Sequence, residues 1–182
     1  MTTSFKGLFL DRDGVINVDE GYVYRPQDIR FIPGIFALCR AAQKKGYRIV
    51  IVTNQSGIAR GYYSTAQFEH LSGWLAGQFQ RQGVTISGIL HCPHHPAVEG
   101  PLGRNCWCRK PRPGMLIEGA RRYRLDRQRS IMIGDKVSDI QAARQAGIRR
   151  AILFREAPGK RFRRRSLADH TITRLCQAEK LL

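Results

Sequence analysis

Short apolar runs alternate with segments of helical spacing along this chain. Phe5 to Leu10 reads as a strand, apolar through Leu8-Phe9-Leu10 and closed by Asp11. After Pro33-Gly34, the residues Ile35, Leu38, Cys39 and Ala42 recur at helical spacing. Arg48 to Thr53 is a β-branched run, the pattern of a strand buried on both faces. Ser64-Thr65-Ala66-Gln67 fits a capping box, and Phe68, Leu71, Leu75 and Phe79 share one face of the helix it opens. Ile86 to His91 reads as a strand, Pro113 opens a helix running through Tyr123, and Ser130 to Gly134 is a further strand. Ser138 to Ala146 reads as a helix stopped by Gly147, and Arg150 to Phe154 as a strand. Glu156 to Arg165 is a polar, basic surface segment, and Thr171 to Leu182 a short strand with a closing helix. This alternation predicts an α/β fold, a three-layer α/β/α sandwich around a mainly parallel sheet. No repeat and no clear linker interrupts it, so residues 1–182 are expected to form a single domain with a core of its own.

In such sheets ligands bind beyond the carboxyl ends of the strands, and those ends carry the chemistry. The first delivers Asp11 and Asp13. Side chains two apart in an extended strand point the same way, so two carboxylates enter one small space. Their repulsion is unfavourable unless a cation or a proton compensates. The second end is Thr53-Asn54-Gln55-Ser56-Gly57, and the third is Gly134-Asp135-Lys136.

Charge and cysteines change this picture in two ways. No apolar run approaches the ~20 residues of a membrane helix, and Met1 to Lys6 does not read as a signal peptide. The expected compartment is the cytoplasm, where thiols stay reduced. Cys92-Pro93-His94-His95-Pro96 is followed by Cys106-Trp107-Cys108. Cys92, His94, Cys106 and Cys108 offer four ligands, enough for a closed tetrahedral zinc site in a loop of about residues 92–108. A reduced thiol cluster without metal, or His95 in place of His94, are the alternatives. The remaining cysteines, Cys39 and Cys176, read as small buried apolar groups. The net charge is +17, which would attract nucleic acid or phosphorylated substrates. The arginines are scattered and no nucleic-acid-binding module accompanies them, so a dedicated nucleic-acid partner is disfavoured. Arg60 and Arg112 read as solvated surface groups. A monomer is expected, since no exposed apolar stripe remains.

Asp11-Arg12-Asp13-Gly14, Thr53-Asn54-Gln55, Arg109-Lys110-Pro111 and Gly134-Asp135-Lys136-Val137-Ser138-Asp139 occur in this order. Together they resemble the four motifs of the haloacid dehalogenase-like phosphatases, over about Phe5 to Phe154. The resemblance implies a Rossmann-like fold and a Mg²⁺-dependent phosphoric monoester hydrolase. Asp11 would be the nucleophile and form an aspartyl-phosphate. Asp13 would be the acid and then the base. Thr53 and Lys110 would hold the phosphoryl group. Asp11, Asp135 and the Asp13 carbonyl would bind Mg²⁺. Asp139 would support the metal through water, orient Lys136, or merely favour its helix dipole. Val15 departs from the family's commoner threonine.

A zinc loop without a large cap domain narrows the resemblance to two groups, histidinol-phosphate phosphatases and heptose-bisphosphate phosphatases. Thr53 to Gly61 (TNQSGIARG), Cys92 to Pro96 (CPHHP) and Cys108 to Leu116 (CRKPRPGML) look like the second. That implies removal of the C7 phosphate from a heptose 1,7-bisphosphate, in the supply of nucleotide-activated heptose for lipopolysaccharide or related glycans. Asp19, Glu20, Gly21, Tyr22, Thr53, Asn54, Gln55, Ser56, Arg109, Lys110 and Lys136 would line the sugar site. Arg109 would clamp the phosphate that is not transferred. The Ser56 and Gly57 amides would meet phosphate at a helix start. Zinc would place Arg109 and Lys110. The competing readings are a histidinol-phosphate phosphatase and a non-enzymatic basic, zinc-containing nucleic-acid-binding module.

Overall fold

Strands apolar on both faces need helices on both sides, and the chain supplies them in turn. The computed structural model of the protein describes residues 4–155 and 167–182. In chain order the elements are β1 (Phe5–Leu10), α1 (Ile35–Lys44), β2 (Tyr47–Asn54), α2 (Ser56–Ala59), α3 (Thr65–Arg81) and β3 (Ile86–Cys92). They continue with α4 (Gly114–Arg122), β4 (Leu125–Gly134), α5 (Val137–Gln145), β5 (Arg150–Phe154), β6 (His170–Ile172) and α6 (Cys176–Glu179). The strands form one sheet in the order β3-β2-β1-β4-β5-β6, and every adjacent pair is parallel. The expected fold class is therefore observed.

Alternation along each strand divides the core in two. Leu8, Leu10, Ile49, Ile51, Ile131 and Ile133 pack with α1 and α3 through Ile35, Leu38, Leu75 and Phe79. Phe9, Val50, Val52, Met132 and Leu153 point the other way, onto Met115 and Leu116 of α4 and Ile140 of α5. Each such side chain contributes roughly 1.5–3 kcal/mol when fully buried. The capping box of α3 is formed as the sequence predicts: Gln67 N donates to Ser64 Oγ (3.1 Å) and Ser64 N to Gln67 Oε1 (2.8 Å). Among the described residues no helix is long and apolar enough to cross a membrane.

Three expectations need comment. β4 begins at Leu125 rather than Ser130, because its first half, Asp126 to Arg129, is polar and solvent-facing and carries no apolar run. The β1–β4 register shifts between Lys6 and Leu8. Ser130 Oγ fills the gap, accepting from Gly7 N at 2.8 Å and donating to Asp126 O at 2.5 Å. Cys176 is exposed rather than buried, since Leu175 and Ala178 take the inward positions around α6. The basic segment from Glu156 to Arg165 lies outside the described residues.

The chain departs from β1 toward β2 on one side, while β4 lies on the other. That reversal opens a crevice beyond the carboxyl ends of β1, β2 and β4.

Candidate active site and metal centre

At the end of β1, Asp11 N donates to Ile133 O (3.0 Å), so the sheet ladder itself fixes Asp11. Asp11 is only 5 % exposed. Burial first, then the Asp139 carboxylate, push its carboxyl up to about 8 against the opposing pull of Lys110. Lys110 Nζ lies 3.0 Å from Asp11 Oδ1 and 2.7 Å from Asp139 Oδ1, and donates to Val52 O at 2.8 Å. Burial alone would lower the ammonium, but the Asp11 and Asp139 carboxylates override it and hold it above the ordinary lysine value. The Lys110 main chain is clamped as well: Asn54 Nδ2 donates to Lys110 O and Lys110 N donates to Asn54 Oδ1, both at 3.1 Å.

Asp135, at the end of β4, is pushed up to about 6, mainly by burial. Its Oδ1 is buried without a hydrogen-bond partner among the described residues. A Cβ at Gly14 would lie 2.4 Å from this carboxyl, and Gly14 has φ +88°, so only glycine lets the loop wrap so closely around Asp135. Carboxylate oxygens of Asp11, Asp135 and Asp139 lie within 4.8 Å of one another. Hard oxygen donors, an orphaned buried acceptor and mutually repelling carboxylates fit a Mg²⁺-sized cation. Both Asp139 oxygens are already engaged, Oδ1 by Lys110 and Oδ2 by Lys136 N at 2.9 Å. Asp139 thus pairs with the Lys110 ammonium and caps α5 through the Lys136 main chain; it does not orient the Lys136 side chain.

Asp13 is held by its neighbours. Its carboxylate accepts from Arg12 Nε and Nη2, Asn17 Nδ2 and Gln55 Nε2, at 2.8–3.0 Å. Gln55 Nε2 also donates to Thr53 Oγ1 at 2.7 Å. Asp11, Asp13, Thr53, Asn54, Ser56, Arg109, Lys110 and Lys136 border one cavity of about 470 Å³. A second, of about 310 Å³, is bordered by Asp13, Asp19, Gly21, Tyr22, Asn54, Gln55, Ser56 and Lys136. Lys136 Nζ and Asp19 Oδ2 pair across it at 2.9 Å. Burial opposes the Asp19 anion, but the Lys136 ammonium keeps its carboxyl below the usual range.

Two sequence-predicted sugar contacts behave differently. Glu20 borders neither cavity and pairs with Arg30 instead. Gln55 borders the smaller cavity but is 2 % exposed, and its amide is spent inside the protein. Sequence reasoning gave no role to Arg12, Asn17 or Tyr63. A signal existed for Arg12: an arginine between two aspartates directly after an apolar strand has little else to pair with. Nothing in the pattern pointed to Tyr63.

The Cys/His loop gathers as predicted, with ligand atoms of Cys92, His94, Cys106 and Cys108 within 4.8 Å of one another. Cys106 Sγ lies 3.4 Å from Cys92 Sγ and 3.2 Å from Cys108 Sγ. His94 Nδ1 lies 3.6 Å from Cys92 Sγ and 3.4 Å from Cys108 Sγ. Ligands of a tetrahedral zinc ion would be about 3.5–3.8 Å apart, so the donors fit zinc. Hydrogen bonding from Cys92 above all drives the Cys108 thiol down to about 5, while the same contact pushes Cys92 up. His95 lies outside the cluster: its Nδ1 accepts from Ala97 N (3.2 Å) and its Nε2 faces Arg60 (3.3 Å). Arg109 Nη1 donates to His94 O and Arg112 Nη1 to Cys106 O, both at 3.1 Å. Arg60 and Arg112 are exposed, as the sequence suggests, and each also touches the loop.

Residues 107–172 match a family described as "HAD-hyrolase-like". The D-glycero-beta-D-manno-heptose-1,7-bisphosphate 7-phosphatase of Haemophilus influenzae is 39 % identical over 177 residues, covering 97 % of this chain and 96 % of the relative. The D-glycero-alpha-D-manno-heptose-1,7-bisphosphate 7-phosphatase of Campylobacter jejuni is 48 % identical over 151 residues, covering 83 % of each chain. Among solved structures, the D,D-heptose 1,7-bisphosphate phosphatase of B. bronchiseptica, complexed with magnesium and phosphate, superposes with a TM-score of 0.80 at 30 % identity, covering 97 % of each chain.

Proposed function

The chain belongs to the D-glycero-D-manno-heptose-1,7-bisphosphate 7-phosphatases, and from that premise we propose that it hydrolyses the C7 phosphate of D-glycero-D-manno-heptose 1,7-bisphosphate. The observation that carries this reading is the meeting of Asp11, Asp13, Thr53 and Lys110 around one cavity at the strand ends.

In the first step an Asp11 carboxylate oxygen bonds to phosphorus as the bond from phosphorus to O7 breaks, and Asp13 gives its proton to O7. In the second, Asp13 takes a proton from water as that water attacks the phosphorus of the aspartyl-phosphate. Inorganic phosphate leaves and the Asp11 carboxylate is restored. Lys110, already 3.0 Å from Asp11, sits where negative charge gathers on the transferring group. Thr53 Oγ1 presents a hydroxyl to the same group. Asp11, Asp135 and the main-chain carbonyl of Asp13 would hold Mg²⁺, which when bound neutralises phosphoryl charge.

The smaller cavity, with Asp19, Tyr22 and Lys136 on its border, would take the sugar. Arg109 would hold the C1 phosphate, which leaves the enzyme on the product and is what nucleotide activation of the sugar requires. Zinc at Cys92, His94, Cys106 and Cys108 would fix the loop that carries Arg109. A cluster of reduced thiols suits the cytoplasm. The large exposed hydrophobics among the described residues are Tyr22, Tyr62, Trp107 and Leu167, too few to suggest a permanent partner, and we read the chain as one monomeric phosphatase unit without a nucleic-acid partner.

The test is phosphate release from both C1 anomers of the bisphosphate and from histidinol phosphate, with and without Mg²⁺. Mg²⁺-dependent turnover of a bisphosphate anomer is expected to exceed that of histidinol phosphate by orders of magnitude. Preference for histidinol phosphate would overturn the substrate assignment.

A further inference from the structure

Asp13 has two tasks that need it in one place at two moments, yet its backbone lies in a loop beyond β1. We propose that Arg12, Asn17, Gln55 and Tyr63 form a clamp that positions Asp13 for proton transfer and ties it to Thr53. This rests on the acid/base role of Asp13 given above.

Arg12 is the anchor. It is 2 % exposed, the largest of the fully buried side chains, and its Nε and Nη2 fork the Asp13 carboxylate. The same Nη2 donates to Val23 O at 2.8 Å. A buried guanidinium is costly unless it is paired with good geometry, so this placement needs a reason. One carboxylate among the acidic groups of the site receives the fork, and it is the one that must not swing. Asn17 Nδ2 adds a second restraint on Oδ1 at 3.0 Å and is itself fixed by donating to Val18 O at 2.8 Å.

Gln55 completes the clamp from the second strand end. Its Nε2 divides between Asp13 Oδ2 (3.0 Å) and Thr53 Oγ1 (2.7 Å), so one amide sets the spacing between the proton-transfer group and the phosphoryl-facing hydroxyl. Tyr63 decides which way the amide points. Its hydroxyl donates to Gln55 Oε1 at 2.5 Å, and burial pushes the phenol up to about 12, so it stays a donor. An amide turned the other way would aim its oxygen at a carboxylate. Tyr63 reaches Gln55 only because position 57 is glycine: a Cβ there would lie 2.2 Å from the Tyr63 ring. Asp13 borders both cavities, so the clamped carboxylate reaches both the space assigned to the phosphoryl group and the space assigned to the sugar.

The test separates positioning from general support. kcat/KM for a covalent mechanism reports the steps up to phosphoryl transfer onto Asp11. There the sugar alkoxide needs a proton, whereas p-nitrophenolate leaves without one. Asp13→Asn serves as the control and is expected to lower kcat/KM about 100-fold or more on the bisphosphate and much less on p-nitrophenyl phosphate. Gln55→Met and Arg12→Lys are each expected to lose about 10-fold on the bisphosphate, within about twofold on the aryl phosphate, with KM moved less than about threefold. Tyr63→Phe, the variant least able to disturb folding, should show the same selectivity with about a threefold loss. Equal losses on both substrates in these variants, while Asp13→Asn still discriminates, would overturn the clamp alone. If Asp13→Asn treats both substrates alike, the acid/base assignment fails and the clamp falls with it.

Discussion

Lys110 and Arg109 are sequence neighbours that border the same cavity, but two differently built regions hold them. Lys110 belongs to the sheet: Asn54 fixes its main chain, Val52 O and the Asp11 and Asp139 carboxylates fix its ammonium, and these stand near strand ends or, for Asp139, in the first turn of α5. Arg109 belongs to the Cys/His loop, tied by its guanidinium to His94 O. The cluster joins Cys92 and His94, both buried, to the partly exposed Cys106 and Cys108, which lean on the core beneath α4 rather than on a core of the segment's own. The sheet region is positioned by burial, whereas the loop region would be positioned by a metal held at its Cys/His cluster. This divides the expectation that zinc would place both residues: the structure assigns Lys110 to the sheet and leaves Arg109 to the loop.

The largest effect tests the sheet side. Asp11→Asn should cut turnover by about 10⁴-fold or more while the melting temperature holds or rises, because a repelling charge is gone. Appreciable turnover would remove the nucleophile role. Lys110→Met should come next, with about 3–5 kcal/mol lost in urea unfolding, since Asp11 and Asp139 would stay buried without their cation. A loss under about 1 kcal/mol would show that Lys110 is less tightly built into the sheet than its contacts imply.

On the loop side, Arg109→Ala should raise KM for the bisphosphate about 10–100-fold and leave p-nitrophenyl phosphate nearly untouched; parallel losses would discard the clamp on the remote phosphate. Chelation of zinc, or Cys106→Ala, should follow the same substrate pattern at about 10-fold, with far-UV circular dichroism largely unchanged. If zinc removal also hurt the aryl phosphate strongly, Lys110 would depend on the loop and the contrast would collapse. Full activity in demonstrably zinc-free protein would show that the loop needs no metal. The smallest effect lies outside both regions: Ser64→Ala removes the α3 cap and should cost about 1 kcal/mol in thermal unfolding, with kinetics unaltered.

What could be read from the sequence divides along the same line of burial. The inner strands announce themselves because both faces are apolar, and the ends of β1, β2 and β4 deliver Asp11, Thr53 and Asp135 where the topology requires. The start of β4 is hidden because Asp126 to Arg129 are polar and largely solvent-facing, and among them only Asp126 has a register partner in β1. Cys176 was misplaced because a single cysteine carries no period, and the exposed position around α6 is set by Leu175 and Ala178. The Cys/His cluster was legible because a metal site would constrain the spacing of its four residues. The roles of Arg12, Asn17 and Tyr63 were not, because they depend on hydrogen-bond directions that no spacing rule encodes. Gln55 borders the smaller cavity, but which way its amide faces follows only from the Tyr63 hydroxyl, eight residues on.

The Asn54 side chain offers Lys110 the same donor and acceptor that a neighbouring strand would, with both bonds at 3.1 Å. It acts as a one-residue splice, docking the chain onto the sheet exactly where the loop ends. The segment between Cys92 and Lys110 therefore ends at a point that the sheet holds independently of it. Residues 97–105 border neither cavity, so changes there would reach the site through Arg109 and leave in place the lysine on which the chemistry depends.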